Sequence, residues 1–282
     1  MRLFRDNYYC LIAGLPDLLL DEGKVHFTLR EFRNSLPNEV SGHDYKLTNL
    51  IFLRYDNQNL LNLLEKKEEP HHDLGNYSAE MLEDETREPT GKLPGYMAEF
   101  IRSYREKSPV YPELSWENQL ETLFYDYLIE TQNDFLKDWF IFDLNLNNVI
   151  TALNCRKYKI PAENHLIGNN PVTEAIHRSN SRDFGLSAEF EQIEYVLNAF
   201  ENTNLTVREK QLDMLRWHWL DDHTFFHYFT IEKVISFLIK LQITERWLFM
   251  DKTAGKEIFV KLLADLGKSY ELPEEFTLRK KF

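Results

Sequence analysis

The chain is poor in glycine, in branched aliphatic residues and in cysteine, and it is short of cations. Glycine occurs 10 times in 282 residues and valine 9 times, against 41 leucines. Sheets draw on branched side chains and turn glycines, so this shortage excludes a mainly β architecture and leans helical. Two cysteines, Cys10 and Cys155, are too few for a disulfide framework or a cysteine metal quartet. Each sits among apolar neighbours and is expected to be a buried small side chain in a reducing compartment. Lys plus Arg total 33 against 46 Asp plus Glu, for a formal charge of −13. That deficit excludes nucleic acid as a partner, because binding it needs clustered cations to displace counterions. It also opposes adhesion to anionic lipid. No apolar run approaches the ~20 residues of a bilayer span. The opening has no cleavable signal, since its apolar stretch, Tyr8 to Leu15, is broken by Pro16 and Asp17. A soluble, cytoplasmic protein is expected.

What the chain does have is helical periodicity. Ser115 is placed to cap a helix whose apolar residues, Leu120, Leu123, Phe124, Tyr127 and Leu128, form one core-facing stripe. Ser187 is placed to cap another, carrying Phe190, Ile193, Leu197 and Phe200. Thr206 and Glu209 have capping-box spacing before Leu212, Leu215 and Trp219. Thr230 precedes Val234, Leu238 and Leu241. Gly255 precedes a last helix with Phe259, Leu262, Leu263 and Leu266, with Gly267 as its stop. Earlier, Thr28 to Leu36 reads as a short helix, and His43 to Arg54 and Asn57 to Lys67 as two more. The acidic stretch from Glu65 to Leu93 reads as a linker or mobile loop with one helical turn near Met81. A helix follows Pro94, and a turn-rich stretch runs from Lys159 to Pro171. These two breaks divide the chain into helical subdomains at 1–93, 94–171 and 172–282.

Candidate chemistry is sparse. The densest group is His218, Asp221, Asp222, His223 and His227. His218 and Asp222 are one helical turn apart, as are His223 and His227, which is metal-ligand spacing for a metal-dependent hydrolase. The two pairs do not share a face, since five residues turn an ideal helix by about 140°. The Asp221-Asp222-His223 stretch also reads as a break between helices. His71-His72-Asp73 falls in the acidic stretch and reads as solvated. Phosphate-loop, dinucleotide, zinc-protease and serine-hydrolase motifs are all missing. No carboxylate reads as paired in an apolar setting that would raise its pKa. No catalytic, cofactor-binding or metal-ligating residue is assigned, and no cofactor is expected. The aromatic set of 20 Phe, 14 Tyr and 5 Trp serves core packing, and any exposed share would mark a protein–protein surface.

An internal echo links the first two thirds. Asn59-Leu60-Leu61-Asn62-Leu63-Leu64 matches Asn148-Val149-Ile150-Thr151-Ala152-Leu153 in pattern, at an offset of 89 residues. Leucine-rich helices match one another easily, so chance similarity and a true repeat both account for it.

Two families are resembled. Tyr8-Tyr9-Cys10-Leu11-Ile12-Ala13-Gly14-Leu15-Pro16-Asp17-Leu18 resembles the opening of an uncharacterised bacterial family encoded in V-type ATPase operons. Phe142 to Ile150 with Cys155-Arg156-Lys157-Tyr158, and Phe229 to Leu238, resemble two helices of the C-type subunit of V-type ATPases, known as d-type in eukaryotes. The stretch after the last of these, Lys240 to Arg246, departs from that family's charge spacing. The resemblance implies an all-α fold of three related helical bundles. It implies a non-catalytic subunit, peripheral to the membrane, with the central stalk and the proteolipid ring as partners. An assembly or regulatory factor of the same complex is the alternative.

Overall fold

A computed structural model describes residues 6–20 and 27–269, of which 251–269 are described as backbone helix only. The described residues form helices and no strand. In chain order these are α1 (Tyr9–Ala13), α2 (Leu29–Glu39), α3 (Gly42–Glu65), α4 (Ala79–Arg87), α5 (Gly95–Glu106), α6 (Trp116–Ile129), α7 (Asp134–Tyr158), α8 (Pro171–Arg178), α9 (Ile193–Glu201), α10 (Leu205–Thr224) and α11 (Ile231–Ser269). None of them is long and apolar enough to cross a membrane.

Short polar side chains start most of these helices. Thr28 caps α2 in a reciprocal box with Glu31, and Ser41, Ser78 and Ser115 cap α3, α4 and α6. Asn133, Asn170 and Asn204 do the same for α7, α8 and α10. Each cap satisfies an amide that the first helical turn leaves without a partner. Three helices, α3, α5 and α7, end on a lysine in the left-handed region, Lys66, Lys107 and Lys159, at φ of 57°, 51° and 57°.

The apolar faces close on one shared core. Leu36 and Phe52 from the first third, Leu136 and Leu146 from the second, and Val196 and Leu238 from the last belong to a single buried cluster. α5 packs on α6, α6 on α7, α7 on α8, and α10 on both α9 and α11, while α11 returns to α2 and α3. The end of the chain's described core thus lies against its beginning.

Several expectations change. α3 is one helix, not two, because Asp56, the residue at the expected break, is buried and fully partnered. The acidic stretch 65–93 is not a mobile linker. It contains α4, buries Leu82, and turns back on Glu85, which accepts the amides of Thr90 and Gly91. The Asp221-Asp222-His223 stretch lies inside α10. Ser187 caps nothing, since its hydroxyl donates to Asp183 and α9 begins at Ile193. α10 is capped by Asn204, two residues before Thr206. α11 runs through both Gly255 and Gly267, and the side chains around them lie outside the described residues. Cys155 is buried as expected, but Cys10 is exposed.

Candidate functional site

The internal echo is a shared piece of architecture. Asn59 on α3 reaches into the loop that follows, accepting the His72 amide at 2.8 Å and donating to the His72 carbonyl at 3.1 Å. Asn148 on α7 does the same to Ile167, at 2.9 Å and 2.8 Å. Each asparagine replaces the backbone pairing that a loop residue would otherwise lack. One turn earlier, Asp56 accepts the Asn76 side chain at 2.8 Å and the Tyr77 amide at 3.0 Å. Its counterpart at the same offset, Asn145, accepts the Asn170 side chain at 2.9 Å. Both latches hold the chain just ahead of a capped helix, α4 or α8. Gly75 is required beside the first, because a Cβ there would lie 2.5 Å from Asp56 Oδ1.

Asp56 contradicts the expectation that no carboxylate sits in a pKa-raising setting. It is buried, and burial pushes its carboxyl up to about 6, only partly offset by its hydrogen bonds to Asn76 and Tyr77.

The same offset relates Arg54 to Asp143, and these two meet: Arg54 Nη2 lies 2.9 Å from Asp143 Oδ2. A polar network surrounds this point. Tyr125 of α6 donates to Asp143 at 2.7 Å and accepts from Asn147 at 3.1 Å. Arg216 of α10 donates to Asp143 at 3.2 Å and to Asn147 at 2.8 Å, which closes a ring of four side chains. Arg216 also reaches Asp213 at 3.4 Å. Asp213 in turn accepts from Arg246 and, at 2.7 Å, from the Trp247 indole. Burial alone would raise the Asp143 carboxyl; the guanidiniums of Arg54 and Arg216 and the Tyr125 hydroxyl outweigh it and hold it at about 2. Burial raises the Tyr125 hydroxyl well above its ordinary value, so it stays a donor.

Arg54, Asp143, Asp213, Arg216 and Arg246 of this network form one wall of a cavity of about 540 Å³ between α3, α7, α10 and α11. The rest of the lining is mainly apolar, with Leu50, Leu74, Phe124, Trp139 and Phe140 in it, together with Gln242 and Glu245 of α11. His72 also lines it and is exposed as expected, its ring tilted against Tyr55 with centroids 4.3 Å apart. The network is a fixed arrangement of permanent charges. The depressed Asp143 carboxylate is ionised near neutrality, and a guanidinium is a permanent cation by its chemistry, so the network orders helices and presents charge instead of shuttling protons.

The residues of the histidine-rich stretch at the end of α10 lie apart from one another. His218 and Asp222 are exposed, and Asp221 pairs with Lys240. His223 stacks on Trp219 at 3.7 Å, and His227 lies 3.5 Å from Glu232. Among the described residues no three His, Cys, Asp or Glu side chains come together as a metal site. The network that does form was missed because its members lie far apart in the chain. The available signal was a lone charge inside an apolar run: Arg54 after Phe52-Leu53, and Asp143 between Phe142 and Leu144.

A second feature lies at the turn between α10 and α11. Phe225, Phe226 and Tyr228 are 64%, 79% and 63% exposed. Beside them, the Tyr8 amide donates to the Phe229 carbonyl at 2.7 Å and the Tyr9 and Phe229 rings meet at 4.5 Å. Tyr8 anchors this corner to α3 through its hydroxyl, which bonds Asp44.

Residues 5–270 match the model of a family described as "Protein of unknown function (DUF2764)", and the chain belongs to that family. No curated protein and no solved structure matches it.

Proposed function

We propose that this family member is a non-catalytic helical subunit of a V/A-type ATPase, peripheral to the membrane, that couples the rotor ring to the central stalk. The observation that carries the reading is the aromatic corner. Two of the stretches that resemble ATPase-linked families, Tyr8–Leu18 and Phe229–Leu238, are far apart in sequence and are joined there by a hydrogen bond and a ring contact. Phe225, Phe226 and Tyr228 stand exposed around that junction, and large aromatic side chains left to water are the usual material of a protein–protein contact. The third stretch, Phe142–Tyr158, lies within α7, whose Asp143, Asn145 and Asn148 tie the helices into one rigid unit. A coupling protein acts by transmitting force through such a unit and its interfaces, and needs no titrating group.

The test is affinity purification of the tagged chain from native membranes in mild detergent, with quantitative mass spectrometry. Catalytic subunits, stalk subunits and the proteolipid ring should co-elute at fixed stoichiometry, and Phe226→Ser with Tyr228→Ser should release them. Substoichiometric recovery would make the chain an assembly or regulatory factor instead. Recovery of no ATPase component would end the proposal.

A further inference from the structure

The segment that begins in α1 faces α10 and α11 across a cavity of about 500 Å³. Ile12, Leu15, Leu18 and Leu19 line it from one side, and Trp217 and Phe237 from the helices. Among these apolar residues α11 places a primary amine, Lys240. Its side chain is 11% exposed, and its nitrogen lies 4.7 Å from the centre of the Trp217 ring. It donates to Asp221, whose side chain is 48% exposed and so reaches water. Burial pushes the Lys240 amine below its ordinary value; Asp221 offsets this only in part, and the Lys233 cation adds to it. A desolvated amine beside a second cation is the arrangement that makes a lysine nucleophilic. Asp17 is the one other charged side chain in the described lining, so two cations stand with two anions and the lining carries no net charge. Such a site suits a neutral ligand.

We propose that Lys240 captures a small apolar aldehyde in this cavity as a reversible iminium adduct, with the alkyl chain against Leu15, Leu18 and Phe237. Asp221 takes one proton from the ammonium, and the freed nitrogen attacks the carbonyl carbon. The C–N bond forms as the C=O π bond opens onto oxygen. A second proton from nitrogen and the one held by Asp221 leave with that oxygen as water. Ammonium plus aldehyde thus becomes iminium plus water, with no oxidant or reductant. The product is a cation in the place of a cation, so the Asp221 carboxylate and the Trp217 ring face it as they face the ammonium. The cavity volume lies in the range of small-molecule sites. The site shares no residue with the aromatic corner, so this inference stands apart from the coupling role.

The probe is hexanal with sodium cyanoborohydride, applied to the unaltered full chain near neutral pH. Hydride addition fixes the iminium as a secondary amine, and peptide mass spectrometry locates the hexyl group. Lys240 should be labelled roughly tenfold faster than the median of the other lysines. Formaldehyde, which has no chain to seat, should lose most of that preference. Leu18→Ser should slow hexanal labelling of Lys240 roughly fivefold, with formaldehyde labelling there unchanged. Labelling of Lys240 at or below the median, equal preference for hexanal and formaldehyde, or an unchanged hexanal rate in Leu18→Ser would each overturn the proposal. The first two measurements use the unaltered chain, so a variant that fails to fold would not leave the question open.

Discussion

The α3–α4 joint and the α7–α8 joint are the same device with one residue changed. Both use an asparagine, Asn59 or Asn148, to hold the backbone of a loop residue, and both then enter a capped helix. One turn before the asparagine the first joint has a buried acid, Asp56, and the second a neutral amide, Asn145. A latch that depends on Asp56 is sensitive to pH, and one that depends on Asn145 is not. The asparagine supplies the architecture, and the preceding position sets how firmly the joint holds under given conditions. α7 also runs about one turn further past its asparagine than α3 does, so the latch and the helix end are set independently.

The largest expected effect comes at the centre, where α3, α7 and α10 meet. Asp143→Asn removes the charge that Arg54 and Arg216 share and should cost about 3–5 kcal/mol in urea unfolding. A loss under about 1 kcal/mol would mean these helices are held by apolar packing alone. Next, Asn148→Ala and Asn59→Ala each strand one loop amide and one loop carbonyl and should cost about 2–4 kcal/mol apiece. Equal losses support a shared latch; a loss at only one site breaks the equivalence.

The pH profile separates the joints more finely. The Asp56 carboxyl, raised from 3.8 to about 6, binds its proton more tightly in the fold than in the unfolded chain. Its stabilising contribution is therefore full below pH 3.8 and is lost as pH rises through about 6, an amplitude of at most about 3 kcal/mol. Asp143 has the opposite sign: its contribution is present above pH 3.8 and is lost as pH falls through about 2. Unfolding free energies across this range should show both limbs, and Asp56→Asn should flatten the upper one alone. The smallest effect is a gain. Lys66→Gly and Lys159→Gly relieve left-handed strain at the ends of α3 and α7 and should each add about 0.5–1 kcal/mol, read as a rise in Tm. A gain at one helix end and not the other would show that the two ends are constrained differently.

How much of this could be read from the chain depends on distance. The helical class, the α6 stripe capped by Ser115 apart from Tyr127, which is exposed, the start of α5 after Pro94 and the turn-rich stretch before α8 are local, and periodicity with a capping residue was enough. The echo at Asn59 and Asn148 was visible as a pattern, but its meaning lies in contacts with residues 72 and 167 that no pattern names. Errors fell where a polar residue looked like a break. Asp56 and the Asp221-Asp222-His223 stretch read as helix ends, yet tertiary partners absorb Asp56 and Asp221, and both helices run on. The acidic stretch before Leu93 looked solvated because its composition is polar. Its order comes from Glu85 and from the Asn59 and Asp56 contacts, none of which composition records. The central network was the least legible feature, because Arg54, Asp143, Arg216 and Arg246 come from four helices and meet only in the folded molecule.

The two asparagine latches also decide where this chain can take up length. Asn59 holds residue 72 and Asn148 holds residue 167, so each loop is closed by a side chain and, among the described residues, by no strand. Residues added between an asparagine and the position it holds need disturb neither the helix before nor the cap after, and the entropy of closing a longer loop grows only slowly with its length. The stretches 60–71 and 149–166 differ in length already, and the same bonds close both.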